Sequence, residues 1–236
     1  DLQVISLVMD NKQIRGITVL NLQSGEIFGI QAKAVILATE GYQGLWNNFA
    51  EGPGTGIALA VSAGVKLEGM SNIPKHKLTV RGTNLHLPID ILSMGGRYRT
   101  ESGEDMLPGE NISEEGCILE LRSLNSDAKI WYAQTIRRIE ERTGLDTSLD
   151  VIPLMESVAF TLGGAPVDSD GRVTFKSESM WFTGLYAAGR SANTGMHGDG
   201  YLSGNLQLED LVTGEAAGNH AGNWSKTMRF GGSEKI

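Results

Sequence analysis

The chain has 236 residues, 31 of them glycine, with 40% hydrophobic and 20% charged side chains and a net charge of −8. That length can bury a substantial core, as one large domain or as one domain plus a smaller one, and the composition suits an α/β protein with many tight turns, not a disordered chain or a coiled coil. The acidic balance argues against a nucleic-acid or anionic-membrane surface, which needs clustered Lys and Arg, and no apolar run approaches the roughly 20 residues that span a bilayer.

A single cysteine, Cys117, excludes an internal disulfide and any multi-cysteine zinc or iron–sulfur site within the chain, so no metal site is expected. A reduced, cytoplasmic setting follows as the expectation. The chain opens directly into QVISLVM with no charged-then-apolar leader, as a fragment would. Residues 3–9, 13–22 and 25–31 read as three short strands, joined by turns at Asp10–Asn11 and Ser24–Gly25. Close turns of this kind mark an antiparallel meander. AVILA, 34–38, is wholly apolar, as expected of a strand buried on both faces, and ends in the glycine-bearing turn TEGYQG. GTGIALAVSAG, 54–64, reads as a helix whose N-terminus has open backbone access.

From about Met70 to Met155 the texture changes to mixed polar stretches, with an acidic segment from Glu101 to Glu120. One amphipathic helix is expected over 126–143: Tyr132, Ile136 and Ile139 recur at helical spacing, and Arg137, Arg138, Glu140 and Glu141 make a solvated face. Residues 157–175 read as strands around the glycine pair 163–164 and the DSDG turn at 168–171, and GLYAAG, 184–189, as another buried strand. A glycine-dense loop, 195–204, leads into a helix from Asn205 to about His220, followed by a loose tail. There is no internal repeat and no low-complexity linker.

Three strand-to-glycine junctions stand out: AVILATEG, GLYAAGR and MHGDGYLSGN. Each leaves backbone N–H groups accessible with few side chains in the way, which is what cradling a phosphate or a flat cofactor ring requires. Taken singly, each is also explained by tight packing in an α/β sheet; together they favour a cofactor site.

These residues resemble a known family. AKAVILATEG is similar to the strand of two-dinucleotide-fold flavoproteins that ends in Ala-Thr-Gly-Gly beside FAD, with a meander before it. PGTGIALAVSAGVKLEGM resembles the Thr-Gly-Asp-Gly helix start of succinate dehydrogenase and fumarate reductase flavoprotein subunits. LGGAPVDSDGRV, then GLYAAGRSANTGMHGDGYLSGNLQLEDLVTGEAAG, resembles their C-terminal FAD-binding run in order and spacing. The resemblance covers roughly residues 12–76 and 157–220. It implies an α/β, partial two-dinucleotide-binding (FAD/Rossmann-like) fold with a β-meander and a shortened α+β capping region. The expected organisation is a first FAD-binding segment over 1–70, a capping or substrate region over 71–156, a closing FAD-binding segment over 157–222 and a tail over 223–236. The cofactor implied is FAD, in a site that this chain alone leaves incomplete, because the family's Gly-x-Gly-x-x-Gly fold is absent. The residues implied near it are Ala38, Thr39, Gly41, Gly54, Gly56, Gly189, Arg190, His197, Gly204, Asn205 and Leu206. The implied partners are the missing N-terminal half or an iron–sulfur electron-transfer subunit, besides a small-molecule substrate. The implied location is cytoplasmic or peripheral on the cytoplasmic membrane face.

The departures are as informative. The family's proton-delivering Arg falls on Leu92, in LPIDILSMGGRYR, with Thr and Glu falling on Pro88 and Ile89. Its carboxylate-clamping Arg falls on Tyr201, and the His before its Met-Gly-Gly on Ala159 or Phe160. Neither Leu nor Tyr reproduces a guanidinium fork. Glu40, Thr55 and Arg190 replace expected FAD-side residues, and Arg190 is left to pair with Glu40 or to meet a phosphate. Candidates on the substrate side are His76, Tyr201 and Arg97, with Asp199 a further base. His76 also reads as an ordinary surface histidine among lysines, and His86 and His220 show no supporting partners. Two readings stand: part of an FAD-dependent oxidoreductase with a changed substrate, or a non-catalytic or partner-dependent relative without its own FAD.

Overall fold

The computed structural model describes residues 1–46, 52–107, 116–175, 177–197 and 205–230, with only the backbone of 177–179. Residues 1–74 and 160–236 make one compact unit and residues 75–159 a second. The first unit begins with β1 (Leu2–Asp10) and β2 (Gln13–Asn21), a hairpin whose turn residues Asn11 and Lys12 have φ of 47° and 63°. Two successive left-handed residues give the turn a twist that matches its flanking strands. β3 (Ile27–Gln31) pairs antiparallel with the other edge of β2, which completes the expected meander.

The strand expected to be buried on both faces, β4 (Val35–Leu37), is buried on one. Leu37 is 4% exposed and joins the core with Leu59, Ala60 and Leu185, whereas Ile36 is 38% exposed. Ile36 instead faces a groove shared with Gly218, Gly222 and Phe230. α1 (Thr55–Ser62) follows; its Gly54 N-cap has φ 75° and no side chain caps the helix.

The second unit is a four-stranded antiparallel sheet with two helices. β5 (Lys75–Val80), β6 (Arg97–Thr100) and β7 (Cys117–Glu120) precede α2 (Ser126–Trp131) and α3 (Ala133–Thr143), and β8 (Ile152–Val158) closes it. The strand order is β5–β8–β7–β6, so β5 and β6 are the two edges. Its core gathers Leu78, Val80, Tyr98, Leu119, Ile139, Ile152 and Leu154. The expected single helix is two, because Tyr132 leaves the helical region at φ −94°, ψ 12° while its ring is buried. Asn125 caps the first piece by accepting the Ala128 N–H at 2.8 Å, and Gly144 ends the second in the left-handed conformation.

The chain then returns to the first unit with β9 (Ala165–Pro166), β10 (Arg172–Phe175), β11 (Ser177–Ala187), β12 (Ala192–Asn193) and α4 (Asn205–Thr227). β11 is the spine of a six-stranded sheet: it pairs antiparallel with β10, parallel with β2 at Thr183↔Gln13, and parallel with β4 from Leu185↔Val35 to Ala187↔Leu37. β9 and β12 form a separate parallel pair. α4 continues past its expected end at His220 because its second half is packed on the sheet. Ala217 and Ala221 are buried against Tyr186 and Ala188, and Trp224 meets the Trp181 ring at 5.2 Å. His220 Nδ1 lies 2.9 Å from the Tyr186 hydroxyl and Nε2 3.8 Å from Asp170, and His86 Nδ1 lies 2.9 Å from Thr79 Oγ1, so both histidines have the partners that the sequence did not show. No helix of the described residues is long and apolar enough to cross a membrane.

Candidate functional site

β4 and β11 are parallel neighbours, and their carboxyl ends open side by side into the two glycine junctions. In open α/β sheets ligands bind outside such strand ends. A pair of hydroxyls ties the ends together here. Ser191 Oγ accepts the Thr39 N–H at 3.0 Å and donates to the Thr39 carbonyl at 2.9 Å, and the two side-chain oxygens are 2.9 Å apart. Thr39 Oγ1 also accepts the Gly56 N–H at 3.0 Å, which brings the first turn of α1 to the same place. Gly54 N–H donates to the Gly41 carbonyl at 3.0 Å, so the ATEG turn and the GTG helix start are folded onto each other. A side chain at Gly56 would collide with the Thr39 hydroxyl.

The third element is the head of α4. Gly189, at φ 55°, donates its N–H to Thr213 Oγ1 at 3.0 Å, and a Cβ there would sit 2.7 Å from Asp210 Oδ1. Arg190 reaches Asp210 at 3.5 Å and stacks over Phe160 at 5.5 Å, rather than meeting Glu40, which is exposed. One turn position earlier, Glu209 is 6% exposed and holds His197 Nε2 at 2.9 Å and the Thr194 hydroxyl at 2.5 Å. Asn205 opens the helix and Leu206 is buried beneath it. Ala38, Thr39, Gly41, Gly54, Gly56, Gly189 and Arg190 are thus brought to one end of the sheet by the pairing of β4 with β11 and the docking of α1. Tyr201, Gly204 and Asp199 lie outside the described residues. Ser191, Glu209, Asp210 and Thr213 were not singled out from the sequence. The one signal for them was their position, just after GLYAAG or on the first turns of the last helix.

Several features of this end of the sheet suit a flat, polar-edged cofactor. Buried Arg190 Nε, Asp210 Oδ1 and Gln43 Oε1 lack hydrogen-bond partners among the described residues. A guanidinium N–H without an acceptor is costly unless a ligand supplies one.

The second unit holds the remaining candidates. His76 on β5 and Arg97 on β6 sit on opposite edges of the sheet, three strand spacings or about 14 Å apart. Arg97 is exposed and forks onto Asp105 at 3.1 and 3.2 Å, and Arg99 joins Asp105 to Glu120. Leu92 packs against the apolar core of this unit. His76 accepts the Leu78 N–H on Nδ1 at 3.1 Å. Burial first, and the neighbouring His86 second, push its pKa down to about 4. Near neutral pH His76 is therefore an uncharged ring that offers an Nε2–H, not a cationic clamp.

Paired parallel strands that end in glycine, with two helix starts converging on them, define an α/β cofactor-binding unit. A family model described as an FAD binding domain matches residues 1–110 and 112–206. The chain belongs to that family, together with the succinate dehydrogenase and fumarate reductase flavoprotein subunits. It is 26% identical over 242 residues to L-aspartate oxidase 2 of Ralstonia nicotianae, covering 91% of this chain and 44% of that protein. It is 25% identical over 262 residues to the fumarate reductase flavoprotein subunit of a Serratia species, covering 92% and 42%. A solved quinol fumarate reductase of E. coli superposes with a TM-score of 0.82 at 20% identity, covering 100% of this chain and 46% of its own. The chain spans less than half the length of these relatives.

Proposed function

We propose that this chain is the flavin-ring and cap portion of an FAD-dependent oxidoreductase whose substrate is no longer a dicarboxylate held between arginines. The observation that carries the reading is the hydroxyl clasp of Thr39 and Ser191, with Gly56, at the carboxyl ends of β4 and β11. It ties together the two strand ends and the helix start whose sequences resemble the family's FAD-side segments. FAD, when bound, supplies hydride transfer at the flavin, and the protein supplies orientation and electrostatics. Thr39 and Ser191 set the floor, Gly56 and Gly189 give clearance, and Arg190 offers a buried N–H donor. His197, Asn205 and Leu206 are proposed to approach the same site from the head of α4, with Gly204, outside the described residues, kept as a candidate from the sequence.

The change of substrate is supported by the residues that replace the family's arginines. Leu92 is packed into a core, and Arg97 is engaged by Asp105. His76, uncharged near neutral pH, suits hydrogen bonding to a carbonyl or hydroxyl better than binding a carboxylate. Tyr201, outside the described residues, is kept as a candidate hydroxyl donor or aromatic wall.

A Gly-x-Gly-x-x-Gly half, in the same parent protein or another chain, would supply the pyrophosphate site, and an iron–sulfur subunit is the family's type of electron partner. The exposed Ile36 of β4 and the adjacent groove with Gly218 and Gly222 give that half a place to join the sheet. The location that goes with such an assembly is cytoplasmic or peripheral to the membrane. The test is the visible absorption spectrum of the purified chain, alone and after addition of FAD and desalting. Retained flavin bands support the reading. A chain that stays colourless supports the second reading, a relative without its own FAD.

A further inference from the structure

We propose that Glu209 is a positioning residue that locks His197 in its Nε2–H tautomer, so that the Nδ1 lone pair is the nitrogen His197 offers within the flavin site. The assignment of His197 to that site rests on the function proposed above; the lock itself rests on geometry. The Glu209 and His197 side chains are each 6% exposed, and Glu209 Oε2 lies 2.9 Å from His197 Nε2. A buried carboxylate has to be satisfied by donors on both oxygens. The other oxygen, Oε1, takes the Thr194 hydroxyl at 2.5 Å. That hydroxyl is itself oriented, because Thr194 Oγ1 accepts the Met196 N–H at 3.2 Å and so directs its own proton to the carboxylate. Both carboxylate oxygens then act as acceptors, and an acceptor opposite Nε2 requires the ring proton to be there.

The nitrogen a histidine leaves free is set by the bond that its other nitrogen makes. Glu209 is also anchored from behind, since its backbone carbonyl accepts the Thr213 hydroxyl at 2.7 Å, and Thr213 Oγ1 in turn accepts the Gly189 N–H at 3.0 Å. The imidazole is thereby tied, through Glu209 and Thr213, to the end of β11. Its neighbour Asp210 directs Oδ2 to Arg190, 3.5 Å away, while its buried Oδ1 has no hydrogen-bond partner among the described residues, the ring included.

The experiment is 15N-edited NMR of the histidine ring in the purified chain, without flavin, at a pH above the ordinary imidazole range. The His197 signals are assigned by their loss in H197N. The expected result is a tautomer ratio of at least about tenfold toward Nε2–H. In E209Q, with the fold checked by circular dichroism, the ratio collapses or reverses, because an amide can present its NH2 to Nε2. In T194V, which removes the partner of the other oxygen, the ratio is retained. A wild-type ring found as Nδ1–H overturns the proposal, whether or not the variants fold. So does an unchanged ratio in folded E209Q, or a T194V ring disturbed as much as that of E209Q. Because no cofactor is added, a locked ring in a chain that fails to take up FAD would count against the flavin reading and not against the lock.

Discussion

His76 carries a consequence for stability that its surroundings fix. Its Nδ1 is committed to the Leu78 N–H, the ring lies 5.1 Å from that of His86, and Thr79 Oγ1 connects His86 to the Ser157 hydroxyl at 2.8 Å. Across β5 and β8, Lys75 pairs with Glu156 at 2.7 Å, and Lys77 is the other charged neighbour of His76 on β5. In the unfolded chain His76 takes a proton near its ordinary value of 6.5, and in the fold only near about 4. Between these values the unfolded state binds more protons, so stability falls as the pH drops from 6.5 toward 4 and is fully present above 6.5. Urea titrations across this range should show that loss, and H76Q should flatten it; equal slopes for the two proteins would refute the assignment. Gly163 is a second residue-scale case. A Cβ there would lie 2.6 Å from both the Gly69 carbonyl oxygen and the Met70 Cα, atoms of backbone that cannot swing aside. G163A should destabilise the chain by about 1–3 kcal/mol, read as a lowered urea midpoint at constant slope. The glycine pair was visible in the sequence as a break between strands. Its reason was not, because the partner backbone lies far away in the sequence, at residues 69–70.

Among the elements, those set by local pattern were legible and those set by packing were not. The meander followed from three short β-rich runs and their turn residues, and it formed as read. The helical spacing of Ile136 and Ile139 was real, but the break at Tyr132 depends on where a large ring finds room, and no local propensity encodes that. α4 outran its expected end for the same reason: Trp181 and Tyr186, from a strand earlier in the chain, supply the surface on which Trp224 and His220 rest. Two substitutions separate local from packing contributions in the second unit. I139A removes a side chain with no exposure from the centre of the core, and should cost about 2–5 kcal/mol, since the surrounding sheet refills little of the cavity. N125A removes only the bond to the Ala128 N–H and should cost about 1 kcal/mol. Denaturant melts that gave the two variants similar costs would mean that this core is not close-packed around Ile139.

For the molecule as a whole, the candidate site was legible where glycine and strand ends mark it and silent where side chains from distant segments complete it. Gly56 and Gly189 could be named from their glycine-rich junctions, and Thr39 from the family resemblance of the strand that it ends. Ser191, Glu209 and Thr213 carry no such mark, and only the fold shows that Ser191 closes on Thr39, 152 residues away in sequence. The floor proposed for the flavin ring lies in this sequence, and a Gly-x-Gly-x-x-Gly run does not occur in it. That run is the part of such folds that receives a pyrophosphate. The N-terminus of α1 is a poor substitute, because its Gly56 N–H is already given to Thr39. FAD differs from FMN by the adenylate joined through that pyrophosphate, so contacts to the ring alone cannot favour one over the other. The chain should bind FAD and FMN within about tenfold of each other, a difference below about 1.4 kcal/mol, when both are titrated by flavin fluorescence. Adding a Gly-x-Gly-x-x-Gly half in trans should tighten FAD and leave FMN nearly unchanged. FAD bound far more tightly than FMN by this chain alone would place a pyrophosphate or adenylate contact within these residues, and the division of the site between two halves would have to be redrawn.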